Sequence, residues 1–237
     1  MSTRAPDAII LDCDGVLFDS AAANVAFYNA ILENLGEAPL TREQEGAAHA
    51  LSSPQVLEEL FGHDSSRYAA ALRVAATIDY RPFLELMAPV DGLHDVLDEL
   101  RATYRLAMAT NRGRTIPDLL REFDLEETFD VVVGILDVAR PKPHPDMLLE
   151  CARRLGPACR SAVYVGDSPS DGMAARAAGM GFVAVGDRCD HPVRIGHLRE
   201  LADLLARERS RDGVPESGAA ERFAFVSPVV GRGRDCS

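Results

Sequence analysis

Residues 8–20 read AIILDCDGVLFDS, and this stretch decides the fold. The apolar run AIIL ends in the turn-forming pair Asp14-Gly15, which is typical of a buried strand over residues 8–13. From residue 20 to residue 35 the apolar side chains follow helical spacing, and Gly36 is placed to end that helix. A buried strand therefore leads directly into a helical region.

Helical patterns dominate up to residue 89, and strands alternate with helices after it. Helices are predicted over residues 54–62 and 64–78, with no strand between residues 20 and 89. Strands are predicted over residues 105–110, 131–133, 162–165 and 182–185. Helices are predicted between them, among them residues 146–155 and 170–178, and the last helix over residues 195–206. This alternation indicates right-handed crossovers and a parallel sheet covered on both faces.

These patterns predict an α/β fold, a doubly wound, Rossmann-like parallel sheet interrupted by an all-helical cap. The catalytic core would comprise residues 1–18 and 90–206, and the cap residues 19–89. Residues 207–237 are rich in Arg, Gly and Ser, so we expect a flexible C-terminal extension.

Charge and cysteine content limit the partners and the location. The chain has 237 residues and a formal net charge of −12, which disfavours binding to nucleic acid or to an anionic membrane. Its apolar stretches fall far short of the roughly 20 residues that span a bilayer. The 5 cysteines form no C-x-x-C pair, so we expect neither a disulfide framework nor a structural zinc site. A cytoplasmic monomer or homodimer is expected.

Polar side chains follow the predicted strands, where open parallel sheets bind their ligands. They are carboxylates, a hydroxyl and an amide, namely Asp12, Asp14, Thr110, Asn111, Asp167 and Asp171. Converging carboxylates raise each other's pKa unless a cation lies between them. A set of oxygen ligands without histidine or cysteine favours Mg²⁺ over zinc.

Lys142 is the only lysine among the 25 basic residues, and it lies in the proline-rich loop RPKPHP. Its ammonium is a compact point charge, whereas a guanidinium is a broad planar fork that would not fit between two carboxylates. A carboxylate held against Mg²⁺, opposite a lysine and a hydroxyl, is suited to in-line attack on phosphorus. An aspartyl-phosphate intermediate would follow.

Four segments carry a resemblance to a known family: DCDGVLFDS (12–20), ATNR (109–112), RPKP (140–143) and VGDSPSD (165–171). They resemble the four ordered motifs of the haloacid-dehalogenase-like hydrolase superfamily, and the match spans roughly residues 8–205. The helical insert after the first motif resembles the phosphoglycolate-phosphatase and β-phosphoglucomutase branch. Four motifs in order, each at a predicted strand end or a neighbouring loop, make the resemblance specific.

The resemblance implies a role for each matching residue. Asp12 would be the nucleophile and a metal ligand. Asp14 would offer its backbone carbonyl to Mg²⁺ and its carboxyl as general acid and base. Phosphoryl oxygens would be held by Thr110, Asn111, Lys142 and Arg112, with Thr110 and Lys142 counted among the catalytic residues. Asp167 would bind the metal, and Asp171 would bind it directly or through water.

The expected function is Mg²⁺-dependent hydrolysis of a small phosphorylated metabolite. A first alternative is a phosphoryl mutase, although Asn24 stands where the mutase pattern has a histidine. A second alternative is a non-catalytic phospho-acceptor module, because Asp, Thr and Lys around Mg²⁺ also resemble a response-regulator receiver. The sequence leaves the identity of the substrate open.

Overall fold

The computed structural model describes residues 6–50, 53–62, 66–156 and 161–211. Strands and helices are numbered here in chain order. They are β1 (Ala8–Leu11), β2 (Phe18–Asp19), α1 (Ala21–Asn34), α2 (Arg42–Ala50), α3 (Ser53–Phe61), α4 (Ser66–Thr77), α5 (Arg81–Leu84), β3 (Ala88–Pro89), α6 (Leu93–Arg101), β4 (Arg105–Ala109), α7 (Ile116–Glu122), β5 (Val131–Val133), α8 (Asp146–Leu155), β6 (Ala162–Gly166), α9 (Pro169–Ala178), β7 (Gly181–Val185), β8 (Arg194–Ile195) and α10 (Glu200–Arg211).

Six strands form one parallel sheet in the order β5-β4-β1-β6-β7-β8. The chain winds outward from β1 through β4 to β5, and then returns to the other side of β1 with β6. The strand order therefore reverses between β1 and β6, which is where open sheets of this kind form a binding crevice at their carboxyl ends. The predicted α/β, doubly wound fold is confirmed.

Each face of the sheet is covered by its own hydrophobic core. Along β1 the side chains alternate, because Ile9 and Leu11 belong to one core and Ala8 and Ile10 to the other. Helices α6 and α10 cover the first face, and α8 and α9 cover the second. Burial on both faces explains why AIIL is an uninterrupted apolar run.

Helices α1 to α5 lie between β2 and β3. Tyr28, Ile31, Leu57 and their neighbours form a third core within this segment. The predicted helices at residues 54–62 and 64–78 correspond to α3 and α4. The expectation of no strand between residues 20 and 89 is wrong by one short element, since β3 pairs antiparallel with β2 where the chain enters and leaves the helical segment.

The structure also corrects the prediction around residue 195. Arg194–Ile195 is an edge strand, and the helix predicted to begin there starts at Glu200. The Val193 carbonyl accepts from Ala184 N at 3.0 Å, which aligns this segment with β7. Buried Ile195, Leu198, Leu201 and Leu205 follow helical spacing, and this pattern conceals the strand.

Helix α10 continues to Arg211, five residues into the predicted flexible extension. Residues 212–237, which make up the rest of that extension, lie outside the described residues. In the described ranges, no helix combines the length and the apolar character that crossing a membrane requires.

Candidate active site

The carboxyl ends of β1 and β6 bring Asp12 and Asp167 to the crevice. Asp12 N donates to the Val165 carbonyl at 2.9 Å, which extends the pairing of the two strands by one residue. The loop after Asp12 turns at Gly15, whose φ is +77°. A Cβ at Gly15 would lie 1.9 Å from Asp167 Oδ2, so only glycine lets this loop approach that carboxylate.

Lys142 lies between two buried carboxylates. Its Nζ is 2.7 Å from Asp12 Oδ1 and 2.8 Å from Asp171 Oδ1, and its side chain is 3% exposed. Burial opposes its positive charge, but the two carboxylates outweigh burial and raise the pKa of Lys142. The predicted lysine therefore stays charged beside the predicted nucleophile.

Tyr164 is a site residue that the sequence reasoning did not identify. It lies within β6 and is fully buried. Its hydroxyl donates to Asp171 Oδ1 at 2.8 Å and accepts from Lys142 Nζ at 2.9 Å. Its position two residues before the glycine of the VGD motif predicts only an apolar core residue. Because a tyrosine buried in a strand needs a partner for its hydroxyl, that need was the available signal.

The second carboxylate oxygen of Asp171, Oδ2, accepts hydrogen bonds from the residue that precedes α9. Ser168 donates to Asp171 Oδ2 from its hydroxyl at 2.6 Å and from its backbone N at 3.0 Å. Ser168 also caps α9 by accepting from Asp171 N. Burial opposes ionisation, but Lys142 and Ser168 hold the pKa of Asp171 below its usual value. Asp171 therefore has both a capping role and a place in the site.

Three of the four predicted metal ligands offer carboxylate oxygens within 4.8 Å of one another, namely Asp12, Asp167 and Asp171. Burial, aided by the neighbouring carboxylates, raises the pKa of Asp12 well above its usual value. Burial also raises the pKa of Asp167 to about 6. A buried set of hard oxygen donors that resists full ionisation fits a divalent cation such as Mg²⁺, whose charge would offset the repulsion.

The carboxyl of Asp14 is directed elsewhere, onto Arg112. The guanidinium Nη2 is 2.6 Å from Asp14 Oδ1, and Nε is 2.8 Å from Oδ2. Burial opposes the charge on Asp14, but this pair outweighs burial and lowers the pKa of Asp14. The side chain of Asp14 therefore lies outside the carboxylate cluster, and metal binding through its backbone carbonyl stays a prediction.

Thr110 and Asn111 follow β4 beside Lys142. The Asn111 side chain accepts from Lys142 N at 3.1 Å and donates to the Lys142 carbonyl at 3.4 Å, so it holds the lysine loop. The Thr110 hydroxyl accepts from Arg112 N at 3.1 Å and is fully buried. This bond leaves the hydroxyl proton of Thr110 for a second partner.

A pocket of about 530 Å³ opens beside the cluster. Asp14 and Ser20 line it from the first motif, Gly46 from α2, and Arg188 from the loop after β7. Arg188 Nη1 lies 2.8 Å from Asp167 Oδ2 and was not identified from the sequence. Both the sheet and the helical segment therefore contribute to the wall of the pocket.

A sequence model of the haloacid dehalogenase-like hydrolase family matches residues 9–185. The chain belongs to this family. The match begins in β1 and ends with β7, so it includes all four motifs that carried the resemblance. The predicted superfamily and the predicted class of enzyme, a phosphatase of the haloacid dehalogenase-like hydrolases, are confirmed.

Relatives of this haloacid dehalogenase-like hydrolase carry the names of the predicted branch. A phosphoglycolate phosphatase of Xanthomonas campestris is 34% identical over 76% of this chain and 83% of the relative. A beta-phosphoglucomutase of Bacillus subtilis is 26% identical over 86% of this chain and 90% of the relative. A solved haloacid dehalogenase-superfamily hydrolase, subfamily IA, from Geobacter sulfurreducens is 38% identical, with a TM-score of 0.67, over 86% of this chain and 100% of that chain.

Proposed function

We propose that this chain is a Mg²⁺-dependent phosphatase that hydrolyses a small phosphorylated metabolite through an aspartyl-phosphate on Asp12. The observation that carries this proposal is the placement of Asp12, which has Lys142 Nζ at 2.7 Å and belongs to a cluster of three buried carboxylates. A lysine and a set of metal-type oxygen donors meet at one carboxylate, as phosphoryl transfer requires.

Asp12 would supply the nucleophilic oxygen. Lys142 and Cys13 N both contact its Oδ1, which orients the carboxylate and would leave Oδ2 to attack phosphorus. Mg²⁺, held by Asp12, Asp167, Asp171 and the Asp14 carbonyl, would offset negative charge on the phosphoryl oxygens. Lys142 would neutralise charge on the transferring group, with Thr110 and the Asn111 amide as further donors.

In the first step an Asp12 oxygen bonds to phosphorus and the bond from phosphorus to the leaving oxygen breaks. The Asp14 carboxyl, which must first take up a proton against the influence of Arg112, would give that proton to the leaving oxygen, which departs as an alcohol. In the second step water attacks the same phosphorus and gives a proton to Asp14, and the bond between phosphorus and Asp12 breaks. Inorganic phosphate is released and Asp12 is regenerated.

The helical segment, residues 19–89, is proposed to act as a cap on a core of residues 1–18 and 90–206. Its own hydrophobic core supports a separate unit, and Gly46 places it at the wall of the pocket. The pocket volume of about 530 Å³ suits a small ligand. The phosphoglycolate phosphatase relative supports small phosphorylated acids as the first compounds to test. A reducing cytoplasm is the proposed setting, since Cys13, Cys151 and Cys189 are buried free thiols.

The test is a panel of phosphorylated acids and sugars assayed for phosphate release with Mg²⁺ and with a chelator. We expect turnover with Mg²⁺, its loss on chelation, and an acid-stable phosphate adduct on Asp12 in quenched reactions. Asp12→Asn and Lys142→Ala should abolish turnover with the fold retained. Turnover by Asp12→Asn would exclude the covalent step, and rearrangement of a sugar bisphosphate faster than its hydrolysis would favour the mutase.

A further inference from the structure

Arg112 makes the closest charged contact of Asp14, and the contact is bidentate. Its Nη2 and Nε approach Asp14 Oδ1 at 2.6 and 3.1 Å, and Nε approaches Oδ2 at 2.8 Å. The arginine side chain is 8% exposed, whereas that of Asp14 is 27% exposed. A planar fork on both oxygens fixes the rotation of the carboxyl group as well as its position.

Other residues hold this ion pair from the helical segment. The Arg112 guanidinium lies over the ring of Tyr80, with its carbon 5.1 Å from the ring centroid. The hydroxyl of Tyr80 bonds to Asn24 Oδ1 at 3.3 Å. Asn24 in turn donates to Ser20 Oγ at 3.5 Å, and Ser20 is hydrogen-bonded to Asp14. Asp14 is therefore supported by residues from the start and from the last part of the helical segment.

Exposure separates the roles of the two partners. The Asp14 side chain faces the pocket and is partly exposed, whereas the Arg112 guanidinium is nearly buried and bound to Asp14. A guanidinium engaged on both carboxylate oxygens and nearly buried offers little to an incoming phosphate. The geometry therefore favours a role for Arg112 different from the phosphate contact that its sequence position predicts.

We propose that Arg112 is a positioning residue, which holds the Asp14 carboxyl where it exchanges a proton with the leaving oxygen and with water. This inference rests on the proposed function, in which Asp14 serves as acid in one half-reaction and base in the other. Displacing Asp14 should slow departure of alcohols that need a proton, and slow hydrolysis of the aspartyl-phosphate. An ester whose leaving group is a stable anion needs no proton from Asp14, so displacing Asp14 should not slow formation of the aspartyl-phosphate from that ester.

The experiment compares Arg112→Met with the wild-type enzyme on 4-nitrophenyl phosphate and on an alkyl phosphate. Methionine keeps an unbranched apolar side chain beside Tyr80 and removes the fork. We expect kcat/KM for the alkyl phosphate to fall about 10- to 100-fold, while kcat/KM for 4-nitrophenyl phosphate stays within about threefold. A burst of nitrophenolate should precede a slow steady state, because hydrolysis of the phosphoenzyme becomes limiting.

Two further variants keep the inference falsifiable. Arg112→Lys retains a charge without the fork, so it should show the same selective loss to a smaller extent, even where Arg112→Met does not fold. Arg114→Met changes an exposed arginine two residues along the same loop and should match the wild type. Asp14→Asn should reproduce the pattern of Arg112→Met, and the double variant should add little to either single change.

Each remaining outcome counts against a particular claim. A raised KM for both esters with kcat unchanged would make Arg112 a substrate contact and overturn the positioning role. An equal loss of kcat/KM for both esters would make Arg112 a structural residue. If the wild-type enzyme is active and Arg112→Met gives one of these two results, only the positioning role of Arg112 is overturned. If the wild-type enzyme hydrolyses neither ester, the proposed function is overturned as well.

Discussion

Lys142 illustrates how tightly one position can be specified by charge and size. The ammonium lies within 2.8 Å of two carboxylates and within 2.9 Å of the Tyr164 hydroxyl, and little solvent reaches it. Arginine would carry the same charge, but its planar group is too broad for a space between two carboxylate oxygens. All the remaining Lys and Arg positions of the chain hold arginine, and this one holds lysine.

We predict that Lys142→Arg lowers kcat at least 100-fold, because the guanidinium displaces Asp12 or Asp171 from its position. Steady-state kinetics on the best substrate of the panel would measure this loss. Arg140→Lys is the matched control, since Arg140 lies two residues earlier and makes an exposed pair with Asp146. It should stay within about twofold of the wild type. A similar loss in both variants would point to the loop rather than to the site.

Individual residues of the site could be predicted where their residue type is unusual for its place in the sequence. Asp12 and Asp167 stand out as carboxylates at the ends of apolar strands, and Lys142 stands out as the only lysine of the chain. Tyr164 and Arg188 could not be found in this way. A tyrosine in an apolar strand is an ordinary core residue by pattern, and an arginine in a loop is an ordinary surface charge.

At the scale of elements, the first-motif loop depends on the absence of a side chain at Gly15. Two separate features require glycine at this position, namely the positive φ of the backbone and the close approach to Asp167. Gly36, which ends α1, has a φ of +71° but has no atom within 4 Å of an added Cβ. The two glycines therefore allow the backbone requirement to be separated from the steric one.

We predict that Gly15→Ala loses activity at least tenfold and that Gly36→Ala keeps it. Both variants should lose about 1 kcal/mol in the free energy of unfolding from the left-handed backbone. Only Gly15→Ala places a methyl group against Asp167. Denaturant unfolding measured beside kcat would separate the two effects. Equal activity in the two variants would contradict a steric requirement at Gly15.

Helix α8 offers a prediction for the pH dependence of stability. Glu150 accepts from Arg153 and Arg154 at 2.6 Å, and these hydrogen bonds lower the pKa of Glu150 to about 2 from a usual value of 4.5. Because the pKa of Glu150 is lower in the folded state, its ionisation stabilises the folded state at pH values above 4.5. This stabilisation is lost as the pH falls from about 4.5 toward 2. Glu150→Gln should therefore be less stable than the wild type by under about 1 kcal/mol at pH 7, because the pair is partly exposed.

Urea unfolding at several pH values would check this expectation. The difference between wild type and Glu150→Gln should shrink as the pH falls below about 4.5. Glu122→Gln, an exposed change in α7, is the matched control for the loss of one carboxylate. A difference that is independent of pH would show that Glu150 acts through packing.

The elements themselves were predictable where periodicity is long and unbroken, and less so where it is short. Helices α8 and α9 match their predicted bounds to within one residue. Strand β8 spans two residues, too few to establish an alternation. Helix α2 was not predicted, although Thr41 and Gln44 exchange the reciprocal bonds of a capping box at its start. Its alanine and glycine content leaves no apolar stripe to indicate a helix.

For the whole molecule, the sheet consists of two halves that meet between β1 and β6. Asp12 follows the first of these strands, and Asp167 and Asp171 follow the second. A cation bound by all three would tie the two halves together, while without it their repulsion opposes folding. Ligands that bind only the folded state stabilise it.

We predict that Mg²⁺ at about 100 times its Kd raises the free energy of unfolding by about 2.7 kcal/mol and that a chelator removes this gain. Thermal unfolding with and without Mg²⁺ would measure the shift in Tm. Asp167→Asn should lose most of the shift. Asp187→Asn removes an exposed carboxylate at the pocket edge that is outside the cluster, and should keep it. An undiminished shift in Asp167→Asn would place the cation elsewhere.

The pairing of β2 with β3 has a consequence for how such an enzyme diversifies. Phe18 lies opposite Pro89, so an insertion of some seventy residues starts and ends at one point on the scaffold. Lengthening or replacing a loop whose ends are already adjacent costs the remaining chain little entropy. If the helical segment selects the substrate as proposed, a lineage can exchange that segment while it keeps the sheet that carries the carboxylate cluster.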